Sequence, residues 1–142
     1  MNRIMEKDIS QLILELSNLG IKDNAVLKCI EEIPRSIFIE SSIKSKSNLN
    51  IALPINCGQT ISQPLVVAFM SQSLELNKNI RILEIGTGSG YQTSILSKLT
   101  RFVYTIERYE SLKKIAENKF KSLGFKNIFC KHADGGLGWI DQ

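Results

Sequence analysis

A glycine-rich turn constrains this chain more than any other feature. Residues 83–94 read LEIGTGSGYQTS, an apolar run that breaks into glycines at Gly86, Gly88 and Gly90. Glycine accepts backbone angles that other residues avoid, so this spacing predicts a tight turn from a strand into a helix. In parallel α/β units a ligand lies at such a turn, outside the carboxyl ends of the strands. The run therefore predicts an α/β fold with a binding site at this turn.

Apolar patterns on both sides of the turn support that fold. Short apolar runs predict strands at 81–85, 102–106 and 127–131. Helical spacing predicts helices at 91–99 and 110–123. A chain that alternates strand and helix in this order forms a parallel sheet.

The N-terminal half predicts helices instead of strands. The spacing and boundary residues indicate a first helix over residues 8–19 and a second from about Asp23 or Asn24 to Pro34. A third helix is predicted from Pro64 to about Leu76, with Ser62 or Gln63 near its N-cap position. Residues 35–63 are predicted to be a long irregular loop with a function, since such loops are otherwise uncommon in compact domains. We divide one domain into residues 1–79, with the helices and the loop, and residues 80–142, with the sheet.

Composition narrows the possible function classes. The chain has 142 residues, 43% of them hydrophobic, which fits one domain with its own core. Its net charge of +4 comes without a basic stripe, so we expect no nucleic-acid partner. No apolar run approaches the roughly 20 residues of a membrane span, and we expect a cytoplasmic protein without membrane contact. Cys29, Cys57 and Cys130 are too widely spaced for a zinc site, so we expect reduced thiols and no metal.

The residues after the glycines distinguish between possible ligands. A dinucleotide fingerprint places its third glycine three residues after the second, where this chain has Tyr91. A Walker loop needs Lys followed by Ser or Thr after its last glycine, whereas Tyr91 and Gln92 follow here. The remaining pattern is that of S-adenosylmethionine-dependent methyltransferases, in which the glycines let the backbone approach the amino-acid part of the cofactor.

Carboxylates at the predicted strand ends fit that cofactor. Glu107 ends the second strand of the unit and is placed to accept hydrogen bonds from the ribose hydroxyls. Asp134 follows the third strand and is placed to accept from the adenine amine. Glu84 either faces the cofactor's amino group through water or is satisfied by helix amides. The expected cofactor-binding residues are Glu84, Gly86, Thr87, Gly88, Ser89, Gly90, Glu107, Asp134 and Gly135.

Four segments together carry a family resemblance. They are IALPINCGQTISQP at 51–64, LEIGTGSGYQTSIL at 83–96, YTIER at 104–108 and HADGGLGW at 132–139. In these segments the chain resembles the protein-L-isoaspartate O-methyltransferase family, and the likeness runs from about residue 12 to residue 139. The GQTISQP segment is specific to that family rather than to methyltransferases at large.

The resemblance implies a fold, an activity and an active site. It implies a Rossmann-like class I methyltransferase sheet that binds S-adenosyl-L-methionine. It further implies methyl transfer to the α-carboxylate of L-isoaspartyl residues in damaged proteins and peptides, an ester that then closes to a succinimide, and a monomeric full-length form. Ser62 is the family's usual active-site residue, with Thr60 as a second catalytic residue and Gln59 and Ile61 as substrate-binding residues.

The chemistry of the reaction fits a loop of hydroxyls. A carboxylate is already ionised at neutral pH, so transfer needs an oriented and desolvated oxygen rather than a strong base. Ser62 can orient that oxygen, or it can simply cap the helix after it, and the two roles are compatible. We expect His132 to line the pocket at most, and Trp139 to be a packing residue.

The length of the chain leaves alternatives open. Members of the family are longer, and the resemblance implies that this chain is truncated at its C-terminus and contains the first half of the sheet. The missing part is then absent or supplied by another chain, and we expect the isolated chain to bind cofactor weakly and methylate poorly. A methyltransferase acting on a small molecule or RNA and a non-enzymatic binding fragment are the alternatives.

Overall fold

The computed structural model describes residues 7–139 as helices and strands in an α/β arrangement. The helices are α1 (Ile9–Asn18), α2 (Asn24–Glu32), α3 (Pro64–Ser73), α4 (Tyr91–Leu99) and α5 (Glu110–Ser122). The strands are β1 (Leu53–Pro54), β2 (Thr60–Ile61), β3 (Arg81–Ile85), β4 (Phe102–Glu107) and β5 (Ile128–His132). No helix within residues 7–139 is long and apolar enough to cross a membrane.

The larger sheet confirms the predicted fold class. Its strands lie in the order β3, β4, β5, and both pairs are parallel. Leu83 lies opposite Tyr104, which lies opposite Phe129, so these side chains share one face. Leu83 and Phe129 are exposed there, whereas Val103 and Thr105 on the other face are fully buried. The carboxyl ends of the three strands therefore meet at one edge, where parallel sheets hold their ligands.

The N-terminal helices pack into the same core as the sheet's first helix. Gly20 ends α1 with φ at +101°, as its position predicts, and the Asp23 carboxylate caps α2 by accepting from two backbone amides. Helix α3 begins at Pro64 as predicted but ends at Ser73, earlier than the expected Leu76. The shared core includes Leu12, Leu16, Val26, Ile30, Phe38, Val67, Tyr91 and Ile95.

The prediction of an irregular segment over residues 35–63 is wrong in part. Short 3₁₀ helices occupy 35–38, 41–46 and 56–58, and β1 pairs with β2 as an antiparallel ladder. Leu53 lies opposite Ile61 in this ladder, and both side chains are buried. Strands of two residues leave no readable alternation in a sequence, so pattern analysis could not find them. We call this whole segment, residues 35–63, the clamp loop.

The three cysteines are free thiols. Cys29 is buried in α2, Cys57 is exposed in the clamp loop, and Cys130 is partly buried in β5. Burial raises the pKa of the Cys130 thiol to about 11, so this thiol is protonated at neutral pH. Cys57 has φ at +60°, and with Gly58 at +63° it forms the left-handed bend between β1 and β2.

Candidate functional site

The glycine turn joins β3 to α4 in left-handed backbone geometry. Gly86, Gly88 and Gly90 have φ values of +92°, +54° and +86°. A Cβ on Gly90 would lie 2.7 Å from the Phe120 ring and 3.3 Å from the Ala116 methyl group of α5. Glycine is therefore required at position 90, both because the backbone angle is left-handed and because α5 approaches closely.

Glu107 points from the end of β4 into the crevice beneath the turn. The residue is 4% exposed, and its carboxylate accepts hydrogen bonds from the amide of Gly88 at 2.8 Å and the amide of Tyr109 at 2.9 Å. Each carboxylate oxygen thus holds one amide, and each retains lone-pair capacity for a further donor. The side chain fixes the turn and offers negative charge to a ligand above it.

A cavity of about 420 Å³ lies above the carboxyl ends of the three strands. We call it the turn cavity. Its walls combine the turn, the strand ends and the clamp loop; they include Gln59, Thr60, Gly86, Gly88, Glu107, Arg108, Asp134 and Gly135. The structure therefore brings together Gly86, Gly88, Glu107, Asp134 and Gly135 from the expected cofactor residues. It also adds Gln59 and Thr60 of the clamp loop to the same cavity.

Asp134 and Gly135 form the far wall of the turn cavity. Asp134 Oδ1 accepts from the Gly136 amide at 2.8 Å, while its Oδ2 makes no hydrogen bond within residues 7–139. A Cβ on Gly135 would lie 2.3 Å from the Ile85 side chain, so a larger residue would displace this wall. One carboxylate oxygen at the end of β5 is therefore left for a ligand.

A smaller cavity of about 60 Å³ connects the clamp loop to the glycine turn. We call it the loop cavity. Ser62 and Ile61 line it, and so do Thr87, Ser89, Tyr91 and Gln92. Thr60 and Gly88 line both the loop cavity and the turn cavity, so the two spaces adjoin at these residues.

The Ser62 hydroxyl is exposed and makes no hydrogen bond within residues 7–139. The cap position of α3 belongs to Gln63, whose side chain bonds to none of the helix amides. The first-turn amide of Leu65 donates to Asn50 Oδ1 at 2.9 Å, so the side chain that caps this helix comes from Asn50. The alternative in which Ser62 caps α3 is therefore wrong, and the hydroxyl is available to a ligand. Ile61 differs from it, because its side chain is 2% exposed and packs into the core.

Glu84 does not line the turn cavity. Its Oε2 accepts from the hydroxyls of Thr93 at 2.5 Å and Thr105 at 2.6 Å, so the alternative of satisfaction by helix amides is also wrong. Because Thr105 gives its only hydroxyl hydrogen to Glu84, the Thr87 hydroxyl donates to Thr105 at 2.7 Å. Burial raises the pKa of Glu84 to about 7, against the opposing effect of the two hydroxyls. Glu84 thus supports the turn from below through Thr87.

Other residues complete the rim of the site. His132 makes a hydrogen bond of 3.0 Å with the Arg108 carbonyl and is not among the residues that line the turn cavity. Arg108 does line it, with its guanidinium 4.8 Å from the Tyr109 ring centre, and sequence reasoning missed it although it directly follows Glu107. Trp139 packs edge-on against Tyr104 at 5.3 Å, as expected of a packing residue.

Comparisons with known proteins agree with this geometry. The family described as Protein-L-isoaspartate(D-aspartate) O-methyltransferase matches residues 7–142. The protein-L-isoaspartate O-methyltransferase of Caulobacter vibrioides is 52% identical over 135 residues, which cover 95% of this chain and 61% of that protein. The chain thus spans about three fifths of the length of the curated relatives it matches.

Solved structures show the same likeness. A protein-L-isoaspartate O-methyltransferase superposes with a TM-score of 0.81 at 28% identity, over 90% of this chain and 43% of that one. A SAM-dependent O-methyltransferase from Thermotoga maritima superposes with a TM-score of 0.53 at 26% identity, over 60% of this chain and 34% of that one. The family match covers far more than half of the chain. The chain belongs to the protein-L-isoaspartate(D-aspartate) O-methyltransferase family.

Proposed function

We propose that this chain transfers a methyl group from S-adenosylmethionine to the α-carboxylate of L-isoaspartyl residues in damaged proteins and peptides. The observation that carries the proposal is that Thr60 and Gly88 line both cavities. An acceptor beside Ser62 would therefore face a donor held at the glycine turn. The names of the relatives support the acceptor, and the Thermotoga maritima neighbour's name supports the donor.

The residues of the turn cavity fit S-adenosylmethionine. Its volume of about 420 Å³ lies in the range of small-molecule and cofactor pockets. Glu107 has spare acceptor capacity for the two ribose hydroxyls, and Asp134 has a free oxygen for the adenine amine. Gly86 and Gly88 let the backbone approach the amino-acid part closely. When bound, the cofactor supplies an electrophilic methyl group on a positively charged sulfur.

The clamp loop would hold the acceptor. We assign Ser62 and Thr60 as hydroxyl donors that orient the ionised carboxylate without neutralising it, and Gln59 and Ile61 as the flanking substrate residues. No general base is required, because the attacking oxygen carries no proton at neutral pH. In this division residues 1–79 serve the acceptor and residues 80–142 serve the donor. The three free thiols favour the cytoplasm as the place of this reaction.

A transfer assay tests the proposal. The chain is incubated with methyl-labelled S-adenosylmethionine and one of three acceptors, namely an isoaspartyl peptide, the same peptide with ordinary aspartate, or bulk transfer RNA. We expect label in the isoaspartyl peptide alone, in an ester that mild base releases as methanol. Label in RNA would favour a methyltransferase that acts on RNA. If none of the three acceptors is labelled while the cofactor binds normally, a non-enzymatic binding fragment would be favoured.

A single substitution tests the acceptor side separately. Ser62→Ala should lower kcat about tenfold or more, because the carboxylate loses an orienting donor. The Kd for S-adenosylhomocysteine, measured by calorimetry, should change less than about twofold, since Ser62 does not line the turn cavity. An equal loss of cofactor affinity would contradict the assignment.

A further inference from the structure

The first residue of the clamp loop, Arg35, carries a buried positive charge and lines neither cavity. Arg35 is 3% exposed, and among residues 7–139 its guanidinium donates to backbone carbonyls alone. Its Nη1 bonds the carbonyls of Ser47 at 3.0 Å and Leu49 at 3.4 Å. Its Nη2 bonds the carbonyls of Ile51 at 2.7 Å and Ser62 at 3.0 Å. One side chain therefore ties four points of the loop together.

These bonds hold the base of the small antiparallel ladder. Ile51 precedes β1 and Ser62 follows β2, so the bonds from Nη2 join the two chain ends of this hairpin. A two-stranded ladder of two residues per strand has little stability of its own in water. The position of Ser62 thus depends on the guanidinium that holds its carbonyl.

The charge of Arg35 is not paired with a carboxylate in the part of the chain that the structure describes. Within residues 7–139 no aspartate or glutamate lies within salt-bridge distance of this side chain, and its Nε atom has no hydrogen-bond partner. Burial lowers the pKa of the guanidinium to about 10, so it stays charged at neutral pH. A buried charge is costly unless something compensates it, and here only carbonyl dipoles do. A positive potential therefore remains next to Ser62.

We propose that Arg35 is a positioning residue for the acceptor, which fixes Ser62 through its carbonyl and favours an ionised carboxylate beside it through a charge that no paired carboxylate neutralises. The inference rests on the proposed function and deepens it. It separates two contributions of one side chain. The planar fork of donors sets the geometry of the loop, and the charge sets its affinity for an anion.

Two substitutions separate the fork from the charge. Arg35→Lys keeps the charge but cannot reach four carbonyls from one ammonium, so kcat should fall about tenfold while KM for an isoaspartyl peptide stays within threefold. Arg35→Met loses both, so kcat should fall and KM should also rise about tenfold. In both variants the Kd for S-adenosylhomocysteine should stay within threefold, because Arg35 does not line the turn cavity. Arg101→Met, which removes an exposed arginine at the start of β4, is the matched control and should change none of these values.

Hydrogen exchange tests the geometry without turnover. In both Arg35 variants the amides of residues 50–63 should exchange at least tenfold faster, while those of residues 84–90 keep their wild-type rates. If the wild-type chain transfers no methyl group, the proposed function fails, and this measurement still decides whether Arg35 holds the loop. If Arg35→Met does not fold, the kcat and the exchange rates of Arg35→Lys still test whether Arg35 sets the geometry of the loop. A KM of Arg35→Lys for the isoaspartyl peptide near the wild-type value then supports the role of the charge.

Two results would overturn the inference. Equal KM values in the Lys and Met variants would remove the role of the charge. A loss of S-adenosylhomocysteine affinity that parallels the loss of kcat, with faster exchange at residues 84–90, would show that Arg35 supports the fold in general and not the acceptor loop.

Discussion

The clamp loop and the glycine turn face each other across the site but are stabilised by groups of opposite charge. The loop is held by one buried cation that donates to backbone carbonyls. The turn is held by the Glu107 carboxylate, which accepts from two amides, while Glu84, whose pKa burial raises to about 7, accepts from two hydroxyls below it. The difference matches the proposed ligands, because the donor carries positive charge and hydroxyls while the acceptor carries negative charge. The groups that build each half of the site also set the kind of ligand that it favours.

The two regions also differ in the kind of structure that supplies their contacts, although these contacts reach similar distances along the chain. The turn lies between a strand and a helix, and its bond from Gly88 to Glu107 joins adjacent parallel strands. The loop takes its order from Arg35, whose partners lie between 12 and 27 residues away. The turn is therefore supported by regular elements, whereas the loop is tied mainly by side chains. Arg35 bonds four of its carbonyls, and Asn50 joins it to Glu15 and to the Leu65 amide. Substitutions in the two regions should fail in different ways.

The largest effect is expected at Gly90, where the turn meets α5. Gly90→Ala should lower the free energy of unfolding by about 3 kcal/mol, from left-handed strain and from the clash with Phe120. Phe120 is 5% exposed, so its ring cannot move aside freely. Gly20→Ala is the control, since Gly20 is equally left-handed but a Cβ there meets nothing within 4 Å. Urea unfolding should show about 1 kcal/mol for the control, and equal losses would contradict the role of the clash.

Sequence reasoning found the turn because its signals are local. Glycine spacing and strand-end carboxylates are visible in a short run, and the structure brings Gly88, Glu107 and Asp134 to one cavity. The role of Arg35 in the clamp loop could not be predicted, because nothing in the residues around Arg35 shows that its donors reach the carbonyl of Ser62. Glu84 was singled out in the sequence, but its hydrogen-bond partners were not predicted, since only the register of β3 and β4 places Thr105 beside it.

The next effect concerns the charge beneath the turn and depends on pH. Because burial raises the folded-state pKa of Glu84 from 4.5 to about 7, the folded chain holds this proton over a pH range in which the unfolded chain has lost it. The stability that the proton contributes is present below about pH 4.5 and is lost as pH rises to 7. Glu84→Gln does not titrate and can still accept from both hydroxyls. As pH rises from 5 to 8, the unfolding free energy of this variant should therefore increase by about 2 kcal/mol relative to that of wild type.

Thermal melts across this pH range measure the gain. Glu31→Gln, at an exposed position on α2, is the control and should follow the wild-type profile in parallel. A constant difference between Glu84→Gln and wild type would show that Glu84 is ionised in the folded chain throughout the range. In that case the hydroxyls of Thr93 and Thr105 would outweigh burial.

A smaller effect is expected at Glu107, where the turn meets the ligand. Gln at this position has one oxygen for two amides, so either Gly88 or Tyr109 would face an amide nitrogen. Glu107→Gln should weaken S-adenosylhomocysteine binding about tenfold by calorimetry while leaving hydrogen exchange in residues 50–63 unchanged. Altered exchange in the clamp loop would show that the two halves of the site are not independently supported.

The smallest effect separates the hydroxyls that meet at Glu84. Thr105→Val keeps the side-chain shape but removes the hydroxyl that joins Glu84 to Thr87, so it should weaken S-adenosylhomocysteine binding about threefold. Thr93→Val removes the other donor to the same oxygen without touching the turn, so binding should stay near the wild-type value. Thr93→Val should lose about 1 kcal/mol of unfolding free energy, because it removes one hydrogen bond to Glu84. Thr105→Val should lose about 2 kcal/mol, because it also removes the bond from the Thr87 hydroxyl. Equal binding in the two variants would show that the turn keeps its shape without support from Glu84, and that Glu107 alone fixes it.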